Sequence, residues 1–308
     1  MFKIYILFFL FFFISKLNAL SSNINIKFKI GDEIITNIDI QNEKSYLIFL
    51  RPKLGSLPKK ELLKISENSL IKEIIKKKEL KRVFKNLKNK DLTEDVKKSI
   101  FNYKNVKSEK EFINLTKERN ISYEKILEKI KYEGLWNEFI FRKYNNLVKI
   151  DRNLLKEELI NNISNKKKYE YELSEILFEI DKNEKFKSKY KNILEYIKNN
   201  DFKSAASKFS LSNSVNRGGE IGWIKETLLS KKIAISLQDL KKGQITKPIK
   251  YPNGYLLLKV NNKKEMKQKI DINKELDEKV VFERNKQLNQ FSLLYYKKLK
   301  QNTKINEY

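Results

Sequence analysis

Apolar residues recur along this chain with two different periods, and the change from one to the other divides it. Residues 26–35 (IKFKIGDEII) hold two short β-like runs broken at Gly31-Asp32, the pattern of a hairpin. Thr36-Asn-Ile-Asp39 reads as a capping box with Asp in the usual Glu position; the helix it opens is ended by Pro52, Gly55 and Pro58. From Pro58 to about Lys149 the period is helical. Leu63, Leu70, Ile74 and Ile75 form one stripe, and Ser108-x-x-Glu111 is a second capping box that opens a short helix through Leu115. Asn120 and Ser122 mark the next boundary, after which Ile126, Ile130, Leu135 and Phe139 line a longer helix. Asp151 begins another through Leu154, Leu155 and Leu159. Stripes at i, i+3 and i+4 are core positions, so they predict helix packing and no chemical site.

The basic, Asn-rich stretch from Asn161 to Lys168 reads as a linker, and the texture changes after it. Five of the 8 glycines and two of the 4 prolines fall between Gly218 and Gly254, where tight irregular turns are therefore expected. Tyr169 to Ile180 reads as a strand, Phe186 to Lys198 and Phe202 to Phe209 as helices, and Arg217 to Trp223 as a glycine-rich loop. Leu228 to Leu240 reads as mostly helical up to Gly243. Lys247 to Lys250 and Gly254 to Val260 read as strands paired across the Tyr251-Pro252-Asn253-Gly254 turn. The order βααβαββ predicts an α+β unit of roughly a hundred residues. From Glu275 to Lys300 a long amphipathic helix carries Leu276, Val280, Leu288, Phe291, Tyr295 and Leu299 near one face. Such a helix does not stand alone in water. It is expected to dock on the N-terminal helices in preference to the second unit, with residues 303–306 adding an edge strand.

Composition removes several chemistries. The chain of 308 residues contains no Cys and no His, which excludes disulfides, Ser-His and Cys-His nucleophiles, and zinc held by thiolate or imidazole. No metal or other cofactor is expected. The net charge of +27 ordinarily points to nucleic acid or an anionic membrane surface. Here the excess is mostly Lys, spread over the whole chain without an Arg cluster and accompanied by abundant Asn and Ile. That composition reads as a solvated surface, so no nucleic acid is expected as a partner. A basic nucleic-acid or membrane-surface binder is the distant alternative, marked by steep loss of binding with salt. At the N-terminus Lys3 precedes an unbroken apolar run from Ile4 to Ile14, followed by small residues at Ala19, Ser21 and Ser22. At about 1.5 Å per residue the run spans roughly half of a hydrocarbon core about 30 Å thick. Residues 1–21 are accordingly expected to be a cleaved export signal, with the membrane met only transiently.

Five motifs carry a resemblance within the second unit: LSEIL at 173–177, DFKSAASKFS at 201–210, GGEIGW at 218–223, LKKGQITKPI at 240–249 and NGYLLLKV at 253–260. In this order and spacing they resemble the parvulin family of peptidyl-prolyl isomerases. GDEIITNIDI at 31–40, NISYEKILEKIKYE at 120–133 and the separated C-terminal helix resemble the SurA family of periplasmic chaperones. The resemblance implies an α+β multidomain fold. A mostly helical SurA-like body at 22–165 would be completed by a C-terminal helix at 275–308. One parvulin-like domain at 168–264 would hold a small antiparallel sheet flanked by helices.

The resemblance also frames the mechanism. Active parvulins place one His after the first strand's Leu-Ser and another in the last strand after Gly-Phe or Gly-Tyr; here those positions hold Glu175 and Leu256. A Cys or Asp that usually follows the Phe-Ser or Tyr-Ser is Ser212. The proline-pocket positions read as Leu229 and Ile233, which double as helix-face core residues. Read as residues alone, Glu175 is a solvated or tail-paired carboxylate at a strand edge, and Trp223 packs in the core under the glycine loop. The function implied is a periplasmic chaperone that binds unfolded or extended exported polypeptides, outer-membrane proteins in particular, with weak or no isomerase activity. The alternative is an active isomerase working through the apolar pocket alone.

Overall fold

The structure is a computed structural model that describes residues 23–84, 93–163, 168–180, 184–252, 254–266 and 271–308. The export-signal reading, the middle of the expected linker and Asn253 lie outside the described residues. β1 (Ile26–Ile30) and β2 (Glu33–Thr36) pair antiparallel across Gly31, whose φ of +63° suits the turn. The chain returns to the same place at its end, where β7 (Ile305–Glu307) pairs with the other side of β1.

Helices α1 (Asn37–Leu50), α2 (Lys59–Val83), α3 (Thr93–Lys104), α4 (Glu109–Lys117), α5 (Tyr123–Tyr144) and α6 (Arg152–Asn162) follow. The box at α1 is complete: Thr36 Oγ1 accepts from the Asp39 N–H at 3.2 Å, and Asp39 Oδ2 accepts from the Thr36 N–H at 2.9 Å. The box at α4 is half formed. Ser108 Oγ accepts from the Glu111 N–H, but the Glu111 carboxylate takes the N–H of Lys107, one residue before the cap. The α2 stripe is wider than the predicted one. Leu62, Ile65, Ile71, Ile75 and Leu80 are buried, and Leu63, Leu70 and Ile74 flank them half-buried. The reason is that α2 is covered from two sides, by the hairpin on one and by the second unit on the other.

The second unit runs β3 (Tyr169–Phe178), α7 (Phe186–Asn199), α8 (Phe202–Phe209), β4 (Glu220–Lys225), α9 (Lys231–Gln238), β5 (Ile249–Tyr251) and β6 (Gly254–Glu265). Its sheet is antiparallel in the order β4-β3-β6-β5, which makes β3 central. Side-chain alternation along β3 and β6 gives the sheet two apolar faces. Ile176, Phe178 and Leu257 face α7 and α8, whereas Leu173, Leu177, Leu256 and Leu258 face α9. The helix expected over 228–240 is shorter. Residues 226–228 form a 3-10 turn and Leu229 is extended (φ −74°, ψ 150°) before α9 starts.

Two features join the parts. The face of the sheet that meets α7 and α8 shares one core with the body, since Leu47, Leu54, Leu57, Leu62 and Ile65 pack into it. The buried Arg51 crosses the same boundary, donating to Ser207 Oγ and to the Val215 carbonyl at 2.8 Å. The second joint is α10 (Ile272–Gln301). Leu276 and Val280 meet α6, and Leu288, Tyr295 and Leu299 meet α5 around Trp136. The expectation that α10 docks on the body in preference to the second unit needs correction, because it does both. Phe282 and Leu293 pack on the sheet face opposite α7 and α8, and Glu275 accepts from Lys225 and Thr227, each at 2.5 Å. A helix of this length has more than one face, and Phe282 and Leu293 lie on a stripe separate from the one that meets α5.

Candidate functional site

The sheet face shared with α9 and α10 does not close completely. It leaves a groove of about 440 Å³ with Leu173, Leu256 and Leu258 as its floor. Leu229 and Ile233 form one wall, and Phe282 and Leu293 of α10 form a roof. All five residues singled out from the sequence line this one groove: Glu175, Ser212, Leu256, Leu229 and Ile233. Leu256 and Leu229 are only 5% and 3% exposed, so they belong to the core as much as to the groove. Trp223 was expected beneath the glycine loop and is instead 44% exposed at the groove's rim, with the Lys264 ammonium 4.5 Å from its ring centroid. The edge strand β4 has only β3 beside it.

Glu175 is the polar centre. It sits on an inner strand, not at an edge, and is half-buried with two serine hydroxyls on its carboxyl, which corrects the solvated reading. The Ser212 hydroxyl donates to Oε1, and so does the Ser214 hydroxyl at 2.9 Å. Burial pushes the carboxyl above its ordinary value of 4.5, against the two hydroxyls and the Arg217 charge, which pull it down. The backbone of this corner is fixed by the glycine pair. Gly219 accepts the Glu175 N–H at 2.8 Å with φ +82°, and a Cβ there would lie 2.4 Å from the Glu175 carbonyl oxygen. Backbone approach thus accounts for the glycine at 219.

Beyond Glu175 the groove continues into a charged cavity of about 460 Å³ between α2, α5 and the turn before β4. Lys129 pairs there with Glu43 at 2.8 Å and with Glu73, and Lys76 pairs with Glu133 at 3.1 Å. Sequence reasoning missed this cleft, as it missed Ser214, Arg217 and the α10 roof. For Ser214 a signal was present, since Ser212-x-Ser214 puts two hydroxyls on one short turn. The ion pairs join segments more than fifty residues apart, and no spacing in the chain announces them. Among the described residues no group of acidic side chains is placed to hold a metal ion, and no helix is long and apolar enough to cross a membrane.

Residues 171–262 match the family described as Rotamase: PPIC-type PPIASE domain, the span that holds the groove floor and Glu175. The chain is similar to Chaperone SurA of Pseudomonas putida, 39% identical over 64 residues that make up 21% of this chain and 15% of that protein. It is also similar to Foldase protein PrsA of a Geobacillus species, 31% identical over 97 residues that make up 31% of this chain and 34% of the relative. The matches thus span about a third or less of these curated relatives. Among solved structures it is similar to one of two structurally related SurA-like chaperones of Campylobacter jejuni. There 92% of this chain and 98% of the other superpose at 18% identity, with a TM-score of 0.35.

Proposed function

We propose that this chain, which carries a PPIC-type rotamase domain in a SurA-like frame, holds unfolded exported polypeptides in the periplasm and accelerates prolyl isomerisation little. Outer-membrane proteins are the client class. The observation that carries the reading is the make-up of the groove. Leu173, Leu229, Ile233, Leu256, Leu258, Phe282 and Leu293 surround it, and the one carboxyl among the residues that line it is already engaged by two hydroxyls. Holding an extended apolar segment needs such a surface and no titratable group.

Catalysis asks for more. Rotation about an amide bond meets a barrier of about 18–20 kcal/mol, and an enzyme lowers it by gripping the twisted amide and favouring the rotated nitrogen. Loss of one placed hydrogen-bonding group costs about a hundredfold to a thousandfold in rate. This chain has no imidazole, and Leu256 offers no polar atom. One observation favours the alternative, a slow isomerase: burial favours the protonated form of Glu175, and a carboxylic acid can donate toward a prolyl nitrogen.

Two assays on the full chain separate these readings. Added to an unfolded β-barrel membrane protein at the moment of dilution, it is expected to suppress light scattering. In a proline-limited peptide assay, where the uncatalysed step takes tens to hundreds of seconds, it is expected to stay near background. Unsuppressed aggregation refutes the holding reading, and rapid isomerisation refutes the inactive one. Leu229→Ala with Ile233→Ala then tells whether holding uses this groove.

A further inference from the structure

We propose that the cleft beside the groove contains a carboxylate-binding subsite, built on Lys72 with Arg217 lining the same cavity, that takes a carboxylate of the extended polypeptide whose apolar residues fill the groove. The proposal rests on the holding reading above and adds to it a chemical requirement on the client.

The argument is a matching of charges within one cavity. Lys72 and Lys76 of α2, Lys129 of α5 and Arg217 supply its cations, and Glu43, Glu73, Glu133 and Glu175 its carboxyls. Lys129 takes two of these carboxylates and Lys76 a third, while Ser212 and Ser214 engage Glu175. Among the described residues that leaves Lys72 and Arg217 without an ion pair. The Lys72 ammonium lies 5.7 Å from the Tyr296 ring centroid, and Arg217 Nε donates to the Glu220 carbonyl at 3.3 Å.

Lys72 is half-buried where it lines the cavity, and a partly desolvated ammonium without a counterion is less well placed than a paired one. Burial and the neighbouring Lys76 lower Lys72 to about 8, against the pull of Glu133. It is therefore still mostly charged at neutral pH, and a bound anion would relieve its position. The position is also a crossroads. Lys72 lines both the charged cavity and a second space of about 890 Å³ between α2, α8 and α10. The groove joins the first through Glu175 and Asn289, and the second through Leu211 and Leu293. A free inorganic anion would satisfy the ammonium alone. A carboxylate carried on an apolar peptide satisfies the ammonium and fills the groove.

The test measures binding of one labelled peptide rich in aromatic and aliphatic residues by fluorescence anisotropy at low salt, using the full chain. Three forms are compared: a free C-terminal acid, a C-terminal amide, and the amide with one internal Glu. A carboxylate-bearing form is expected to bind at least about tenfold tighter than the neutral amide. In Lys72→Met that gap closes while affinity for the neutral amide is unchanged and the protein melts no lower. Arg217→Gln, an exposed position, narrows the gap too and carries the test if Lys72→Met does not fold. Preference for the acid alone assigns the subsite to chain ends; equal preference for the Glu form assigns it to any carboxylate. Equal binding of acid, Glu form and amide by the wild type overturns the subsite and leaves the holding reading standing. Equal weakening of every form by Lys72→Met shows a structural lysine and overturns it as well. If no form binds, the holding reading fails and the subsite with it.

Discussion

Trp136 and Ser292 offer a direct measurement of how firmly α10 is fastened to the body. The indole is fully buried, and its Nε1–H donates to Ser292 Oγ at 2.8 Å across 156 residues of chain. Ser292→Ala strands a buried N–H, which costs about 1–3 kcal/mol. Trp136→Phe strands the hydroxyl instead and vacates volume, adding a cavity cost of order 1 kcal/mol. Together the two substitutions remove both halves of the hydrogen bond, so the double variant loses less than the sum of the singles. A coupling of about 1–2 kcal/mol is expected in denaturant unfolding followed by tryptophan-independent circular dichroism. Additivity within about 0.5 kcal/mol would mean that α10 is not held by this contact in solution, and the docking argument would fail.

Gly219→Ala should lower the melting temperature by far more than Gly222→Ala. Both have φ of +82°, worth about 1–2 kcal/mol against an L side chain, but only at Gly219 would the new Cβ meet backbone, 2.4 Å from the Glu175 oxygen, whereas at Gly222 nothing lies within 4 Å. Similar melting of the two variants refutes the close-approach reading. Glu175→Gln should gain on the wild type as pH rises. The folded carboxyl is held above its ordinary 4.5, so its contribution is full below that value and is lost as pH climbs through the raised one, with a limiting slope of about 1.4 kcal/mol per pH unit. Melting curves that run parallel for the two proteins between pH 4 and 8 would contradict the burial of that carboxyl.

Local chemistry was legible in the sequence wherever a few neighbouring residues determine it. The Gly31 turn, the Thr36 cap, the Ser122 and Asp151 caps and the buried stripe of α5 all follow from spacing alone. So does the pairing of β5 with β6 across Pro252. What was not legible depends on which faces meet. Nothing local distinguishes Phe282, which roofs the groove, from Val280, which meets α6 two residues away. Glu175 reads as an edge carboxylate until Gly219 and β6 flank it and two serines from the turn after α8 close over it. Trp223 reads as core because large aromatic residues usually are; it is exposed on β4, the sheet's edge strand. The charged cleft exists only in three dimensions.

The placement of α10 ties the groove to the body energetically. Ser292 and Leu293 are adjacent residues, and one is bonded to Trp136 of the body while the other roofs the groove. Lifting the whole helix to admit a polypeptide would break the Trp136 bond, the stacked contact of Tyr144 with Phe291, and the hydrogen bond from Tyr295 to Glu79. It would also expose the apolar residues around Trp136, at about 25 cal/mol for each Å² uncovered. Rotating the Phe282 and Leu293 side chains breaks none of these. On the proposed holding reading, a polypeptide entering the groove would meet a roof whose backbone is fastened to the body. Adaptation to different apolar segments would then fall to the Phe282 and Leu293 side chains, with neither the body nor the sheet unfolding.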